Sequence, residues 1–414
     1  MTPGDPADAP GMEANTEAGR PFRRAVLYVG GYDPVAPDKF FARLARELGH
    51  FRNTWDVEAT FTPAQASPDG HVWRAGIETR GDGWTVDTDF RLLAWDDLVR
   101  GDFERPIWKR LPLSLGLLID FFVSGAILRY FLAAWRFGLY FVAPFAFSLL
   151  FVIAAALTAA LVLRMDHASA GWLAPVAFLL VYLGLMRWPG RRWFVSHLLD
   201  ARVFMGEYMR GGRPDMEARV DRFAREITDV AAMPGLGEIL VVGHSQGSVF
   251  ALEALERALA LDPELARRGA PISVMTVGSC VLQLGLHPAA KTLRARIQRL
   301  ERETGIEWLE FQTLTDVVNF YKTDPSRLMR IETSPGRIFP HVVNVRVREM
   351  MQPTDYSRIR NSLFRVHYQF VMGNTRRYFY DFFQICCGPI ALRDRFSLGE
   401  KPPERSQLET EGTS

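Results

Sequence analysis

The chain has 414 residues, long enough for one large domain with an insertion or for two domains. Its 49 Lys and Arg nearly balance 47 Asp and Glu, leaving a formal net charge of +2, and no basic block is long enough to track phosphates, so nucleic acid is set aside as a partner. The three cysteines, Cys280 and the adjacent Cys386 and Cys387, fit neither a metal-ligand nor a disulfide-framework spacing. No metal, cofactor or disulfide-stapled fold is therefore expected, and a reducing compartment fits better.

Residues 1–24 are rich in Pro, Gly, Ala and acids and lack the apolar core of a secretory signal, so a disordered tail is expected. In the stretch 25–110, "AVLYVGGYDP" reads as a buried strand ending in a glycine turn, and "DKFFARLARELGHF" as the helix after it. "TWDVEATF", "WRAGIETR" and "WTVDTDFRLLAWDDL" have the alternation of further strands.

Residues 111–188 form a predicted membrane-associated insertion. From Phe137 to Leu163 the sequence carries no charge and exceeds the roughly 20 residues that cross a bilayer. A polar link leads to "WLAPVAFLLVYLGLM" at 172–186, flanked by Trp172 and Trp188, and the two segments read as a transmembrane helical hairpin. The preceding 111–136 is apolar but holds Asp120 and Arg129, which are costly at bilayer depth. If the strands on either side of the insertion share one sheet, the number of crossings is even. That makes 111–136 an interfacial helix pair, or else the second span in place of 172–186. Arg105, Lys109, Arg110, Arg136, Arg187, Arg191 and Arg192 flank the hairpin outside, whereas its link holds only Arg164. The expectation is an inner-membrane protein whose bulk faces the cytoplasm.

In 189–393, "DMEARVDRFAREITDVAAM" reads as an amphipathic helix, and strands and helices then alternate through 238–242, 248–261, "ISVMTVG", "AAKTLRARIQRLERETG" and "EWLEFQTL". Such alternation predicts an α/β fold, a mainly parallel sheet with helices on both faces. The pair Cys386–Cys387 reads as buried in a C-terminal helix, with lipidation as the alternative. Residues 394–414 are a second expected tail.

Gly243-His244-Ser245-Gln246-Gly247 lies between an apolar strand and a helix, where small flanking residues permit a sharp turn that lifts a serine hydroxyl above the sheet. Such a serine needs a base, and the base an orienting carboxylate, in the chain order Ser, acid, His. Asp316, just beyond "EWLEFQTL", is the candidate acid, ahead of Asp324 beside Pro325. His367 is the candidate base, ahead of His341, which stands at the wrong end of a strand, and of His287, which comes too early. The N–H of Gln246 and that of Gly31 or Tyr32 are the candidate oxyanion donors.

On "GHSQGS", on "TDVVNFY" and on His367, residues 25–110 and 189–390 resemble the α/β-hydrolase superfamily, of lipase or esterase type. The chain departs from that pattern in having Val317 where the acid loop of some relatives has proline, and in having no "HGGG" loop. The resemblance implies a membrane-anchored serine hydrolase that cleaves a carboxylic ester, with the bilayer and a lipophilic ester as its partners. The alternatives are a non-catalytic scaffold that retains the fold and an acyltransferase using the same triad.

Overall fold

Strand β1 (Phe22–Val29) sends Ala25, Leu27 and Val29 to one face of the sheet and Val26 and Tyr28 to the other, each face meeting its own apolar core. The computed structural model describes residues 21–165 and 167–395. Most of the two predicted tails therefore lies outside the described residues. Where they overlap, the boundaries are corrected: β1 takes in Phe22, Arg23 and Arg24, and a short helix runs Leu392–Arg395. Arg24 is fully buried because its guanidinium meets Glu238 at 2.6 Å and donates to the carbonyls of Gly388 and Ile390, each at 2.8 Å. The other Glu238 oxygen accepts from Leu392 N–H at 2.8 Å, so one buried ion pair fastens both ends of the domain.

The remaining strands are β2 (Glu58–Phe61), β3 (Gln65–Ala66), β4 (Val72–Gly81), β5 (Trp84–Leu93), β6 (Glu238–His244), β7 (Ile272–Val277), β8 (Ile306–Gln312) and β9 (His341–Asn344). Their order is β2-β4-β5-β1-β6-β7-β8-β9, with β3 also on β4. From β5 to β9 every pairing is parallel, but β2, β3 and β5 all pair antiparallel with β4. The fold is α/β with a mixed nine-stranded sheet, which corrects the mainly parallel expectation at one edge. The reason is local: β4 and β5 are joined through Asp82 and Gly83 alone, Gly83 has φ +73° in the left-handed region, and a two-residue link of this kind can only make a hairpin.

Helix α1 (Pro37–Trp55) covers one face together with Phe382–Cys387, where Cys386 and Cys387 are buried. The other face carries α8 and α9, reached after α2 (Asp96–Phe103), α3 (Ile107–Val123), α4 (Ala126–Leu163), α5 (Ala170–Arg187), α6 (Pro189–Arg192) and α7 (Val195–Met209). Helix α8 spans Pro214–Ala231 and α9 spans Gly247–Leu261.

Ala126–Leu163 and Ala170–Arg192 are long and apolar enough to cross a membrane, and only 11 % of the most apolar stretch of the first is buried, unlike a core helix. They pack on each other as a hairpin. The predicted pair 111–136 is α3 plus the first turns of α4, which kinks at Ala134. Helix α3 buries Leu117 and Phe121 among the core residues and leaves Leu115, Ile119, Phe122 and Val123 exposed. After the kink, Pro144 lacks the N–H that would bond the carbonyl of Tyr140. Arg202 of α7 supplies the donor instead, at 2.7 Å, with its guanidinium 4.8 Å from the Tyr140 ring centre. Arg129 and Arg136 of α4 likewise donate to Leu286 O at 2.8 Å and Leu314 O at 2.9 Å. The apolar hairpin is thus fixed to the sheet domain by arginine-to-carbonyl bonds at its base.

Glu238→Gln should leave the Arg24 charge buried without a counter-ion and cost about 3–5 kcal/mol. A thermal unfolding midpoint equal to that of the wild type would contradict the anchoring role.

Candidate active site

Ser245 sits in the turn between β6 and α9 with φ +56°, a left-handed conformation unusual for a residue with a side chain. Its neighbours permit the turn because they have no Cβ. A Cβ on Gly247 would lie 2.2 Å from the carbonyl oxygen of Val29, and one on Gly243 would lie 2.5 Å from Ser248 Cα. The β1–α1 loop then passes over the serine so closely that a Cβ on Gly31 would stand 2.9 Å from Ser245 Cβ.

Gln246 is the N-cap of α9, and its side chain is turned away to Ala201 O at 3.2 Å. Among the described residues no backbone acceptor takes the N–H groups of Gly31, Tyr32 or Gln246. The Tyr32 phenol is not available to a substrate: it donates to Asp102 at 3.0 Å, and Arg213 holds both oxygens of that carboxylate, at 3.0 and 2.9 Å. Burial, followed by the Asp102 charge, pushes the Tyr32 hydroxyl well above its usual range. Of Tyr32 only the backbone is left to face a ligand, its ring being wedged against Trp95, Phe103 and Phe204.

Asp316 and His367 meet: Nδ1 of His367 is 2.7 Å from Oδ2 of Asp316, and both residues are buried. The other Asp316 oxygen accepts from Val318 N–H at 2.9 Å, and Asn319 closes the loop by donating to Thr313 O and Asp316 O. With Nδ1–H directed to the carboxylate, Nε2 is the acceptor, and among the described residues it has no hydrogen-bond partner. The Ser245 hydroxyl lies 3.7 Å from Sγ of Cys280, and no hydrogen bond joins it to His367.

Three contributors escaped the sequence reading. Gly278, at φ +53°, forms the floor beneath the acid and base, where a Cβ would lie 2.7 Å from Cε1 of His367 and 3.3 Å from Oδ2 of Asp316. The glycine after "ISVMTV" marks a strand-end turn, and that signal was present in the sequence. Cys280 borders the serine, and burial pushes its thiol up to about 12, so it is present as the neutral thiol. His244 stacks on His367 with ring centres 4.6 Å apart, and burial, then the neighbouring His367, holds it well below the usual histidine range.

The set-aside candidates have other roles. His341 opens β9 opposite Leu309, away from the strand end that leads to Asp316. Asp324 caps the helix Pro325–Met329 by accepting from Arg327 N–H at 3.1 Å. His287 accepts from Ala289 N–H at 3.1 Å and packs on Phe121. Among the described residues no group of three or more His, Cys, Asp or Glu is placed to hold a metal ion.

No family model, curated protein or solved structure matches this chain.

The insertion and the stretch just after it reach the site from two sides. On the acid side, Phe137 of α4 lies 4.1 Å from Phe320 between ring centres, and Arg136 bonds Leu314 O. On the base side, Phe194, at the start of α7, lies 4.4 Å from Phe364 on the helix that bears His367.

Gly278→Ala should displace the His367 ring and lower the reactivity of Ser245 toward a fluorophosphonate at least tenfold while the protein stays folded; an unchanged labelling rate would remove Gly278 from the site. Beneath the acid loop, burial raises the carboxyl of Glu310 from 4.5 to about 7, against the opposing hydrogen bond from Thr276. The folded state therefore favours the protonated acid, so this contribution is full below about 4.5 and is lost as pH rises through about 7. Glu310→Gln should raise the unfolding midpoint at pH 8 and change it little at pH 4.5, as scanning calorimetry at the two pH values would measure.

Proposed function

We propose that this protein is a membrane-anchored serine hydrolase of α/β-hydrolase type that cleaves a carboxylic ester through an acyl-enzyme. The observation that carries the reading is the Asp316–His367 pair at 2.7 Å, with a free Nε2, beside a serine held at φ +56° at a helix N-terminus. In this mechanism Ser245 Oγ turns from Cys280 to His367 and gives its proton to Nε2 as it bonds to the ester carbon. The oxyanion is received by the N–H of Gln246 and that of Gly31 or Tyr32, aided by the N-terminal end of α9. His367 returns the proton to the leaving alkoxide, and water repeats the sequence to release the acid.

A lipophilic ester fits the surroundings. Leu314 on the acid loop, Leu363 on the helix of His367, and Trp193 and Phe194 just after the insertion are all exposed, placing apolar surface on and beside the elements that carry the two groups. The basic flanks of the hairpin, with Arg136, Arg187, Arg191 and Arg192 exposed, favour a domain on the cytoplasmic side.

One observation favours a non-catalytic scaffold: the serine–histidine hydrogen bond is not formed. Such bonds commonly tighten only in the substrate complex. Fluorophosphonate labelling separates the two readings. Wild-type protein should be labelled and Ser245→Ala should not, and His367→Ala should slow ester cleavage by roughly 10³-fold or more. Folded wild-type protein that resists the probe would sink the enzyme reading. Acyl transfer uses the same residues and is distinguished by product analysis with a competing alcohol.

A further inference from the structure

A groove of about 510 Å³ lies on the side of the domain between α1 and the helix of His367, within the ~300–1,000 Å³ typical of ligand clefts. Its apolar wall is formed by Met351, Ile359, Phe364 and Met372, and two arginines, Arg43 and Arg365, line the same space. We infer that this groove binds a long-chain carboxylate, with the chain along the apolar wall and the carboxylate on Arg43 and Arg365.

The charge argument rests on which groups are already engaged. The two carboxylates in the groove are occupied: Glu47 meets Arg46 at 2.9 Å and accepts from Gly373 N–H at 3.2 Å, while Asp355 accepts from Thr375 at 3.1 Å and pairs with Arg358 at 3.4 Å. Arg43 and Arg365 have no carboxylate partner among the described residues. Arg43 is also held in place, its guanidinium 5.2 Å above the Tyr368 ring centre and 5.5 Å from that of Phe40, so little side-chain freedom remains to be lost when an anion binds. Two cations without a salt-bridge partner, beside an apolar wall, match a ligand with an anionic head and a hydrocarbon tail, and a planar carboxylate can take bidentate bonds from a guanidinium.

The groove's position agrees with a ligand that comes from a membrane. Phe364, part of the apolar wall, is the ring that touches Phe194 at 4.4 Å, and Arg191, Arg192 and Trp193 just before it are exposed. Inward, the groove shares Arg43 and Tyr368 with a cavity of about 40 Å³ that reaches Gly31 and His244. Tyr368 follows His367 directly and donates to Asp33 of the β1–α1 loop. The inference stands apart from the ester-cleavage reading, because it needs only the groove and its two free cations.

The test measures equilibrium binding of radiolabelled dodecanoate to the full-length protein in a neutral maltoside detergent, against protein-free micelles, with dodecanol and acetate as controls. Dodecanoate should bind at least tenfold more tightly than dodecanol, and acetate should not displace it. Arg43→Gln and Arg365→Gln should each weaken binding roughly tenfold, and Ile359→Asp should abolish it. Arg365 is exposed, so its variant is expected to keep the wild-type unfolding midpoint even if the Arg43 variant does not. Equal binding of dodecanoate and dodecanol, full displacement by acetate, or an Arg365→Gln variant that binds like wild type would each overturn the proposal. Loss of Ser245 labelling with intact dodecanoate binding would count against the hydrolase reading alone.

Discussion

The parallel pairing of β1 with β6 is the constraint from which the rest of the arrangement follows. Ala25 lies opposite Ile239 and Val29 opposite Gly243, although more than two hundred residues and two apolar helices separate the strands in sequence. This register brings the Gly31 loop over Ser245 and lets the carbonyls of Val29 and Gly30 crowd Gly247 so closely that only glycine fits. It also requires the chain to come back after the apolar segment, so any membrane crossing must be followed by a return. Hairpin and Ser245 turn are thus two consequences of one strand pairing.

Much of this was legible in the chain itself. The strand at 238–244 and the helix from Gly247 stand as the apolar run and the following pattern indicated, because both are buried against neighbours that reward periodicity. Asp316 and His367 could be singled out by chain order and by loop position, and they lie together. What the sequence concealed was mostly pairing. Arg24 reads as part of a polar tail until Glu238, over two hundred residues away, removes the reason to exclude it from a strand. The antiparallel edge was missed although Asp82-Gly83 between two alternating runs is a hairpin signal. Gly278 was passed over because a glycine after a strand says nothing of which side chains will rest on it.

The site is bounded by two kinds of surroundings. On the sheet side the groups are dry and oriented: His244 is neutral, Cys280 is a thiol, and the Asp316 loop is closed by Asn319. On the other side stand the base of the apolar insertion and the aromatic contacts Phe137–Phe320 and Phe194–Phe364. The loop of Asp316 is packed against Phe137 of α4, and the helix of His367 against Phe194, just after the inserted segment. Their spacing therefore depends on how that segment is seated, and disturbance of the apolar hairpin would be felt at the Asp316–His367 pair before it reached the sheet.

The bond from Arg202 to the Tyr140 carbonyl has a consequence for how such a chain can change over generations. Pro144 creates the need for a donor and Arg202, on a helix of the other domain segment, meets it. Replacing Pro144 by a residue with an N–H makes the arginine a buried cation with less to hold, whereas replacing Arg202 first strands a carbonyl in an apolar setting. The order of substitution is therefore constrained. Exchanging the hairpin for an unrelated apolar segment would require a matching change in α7, so lineages of this architecture should inherit the insertion and the helix behind it as a single unit.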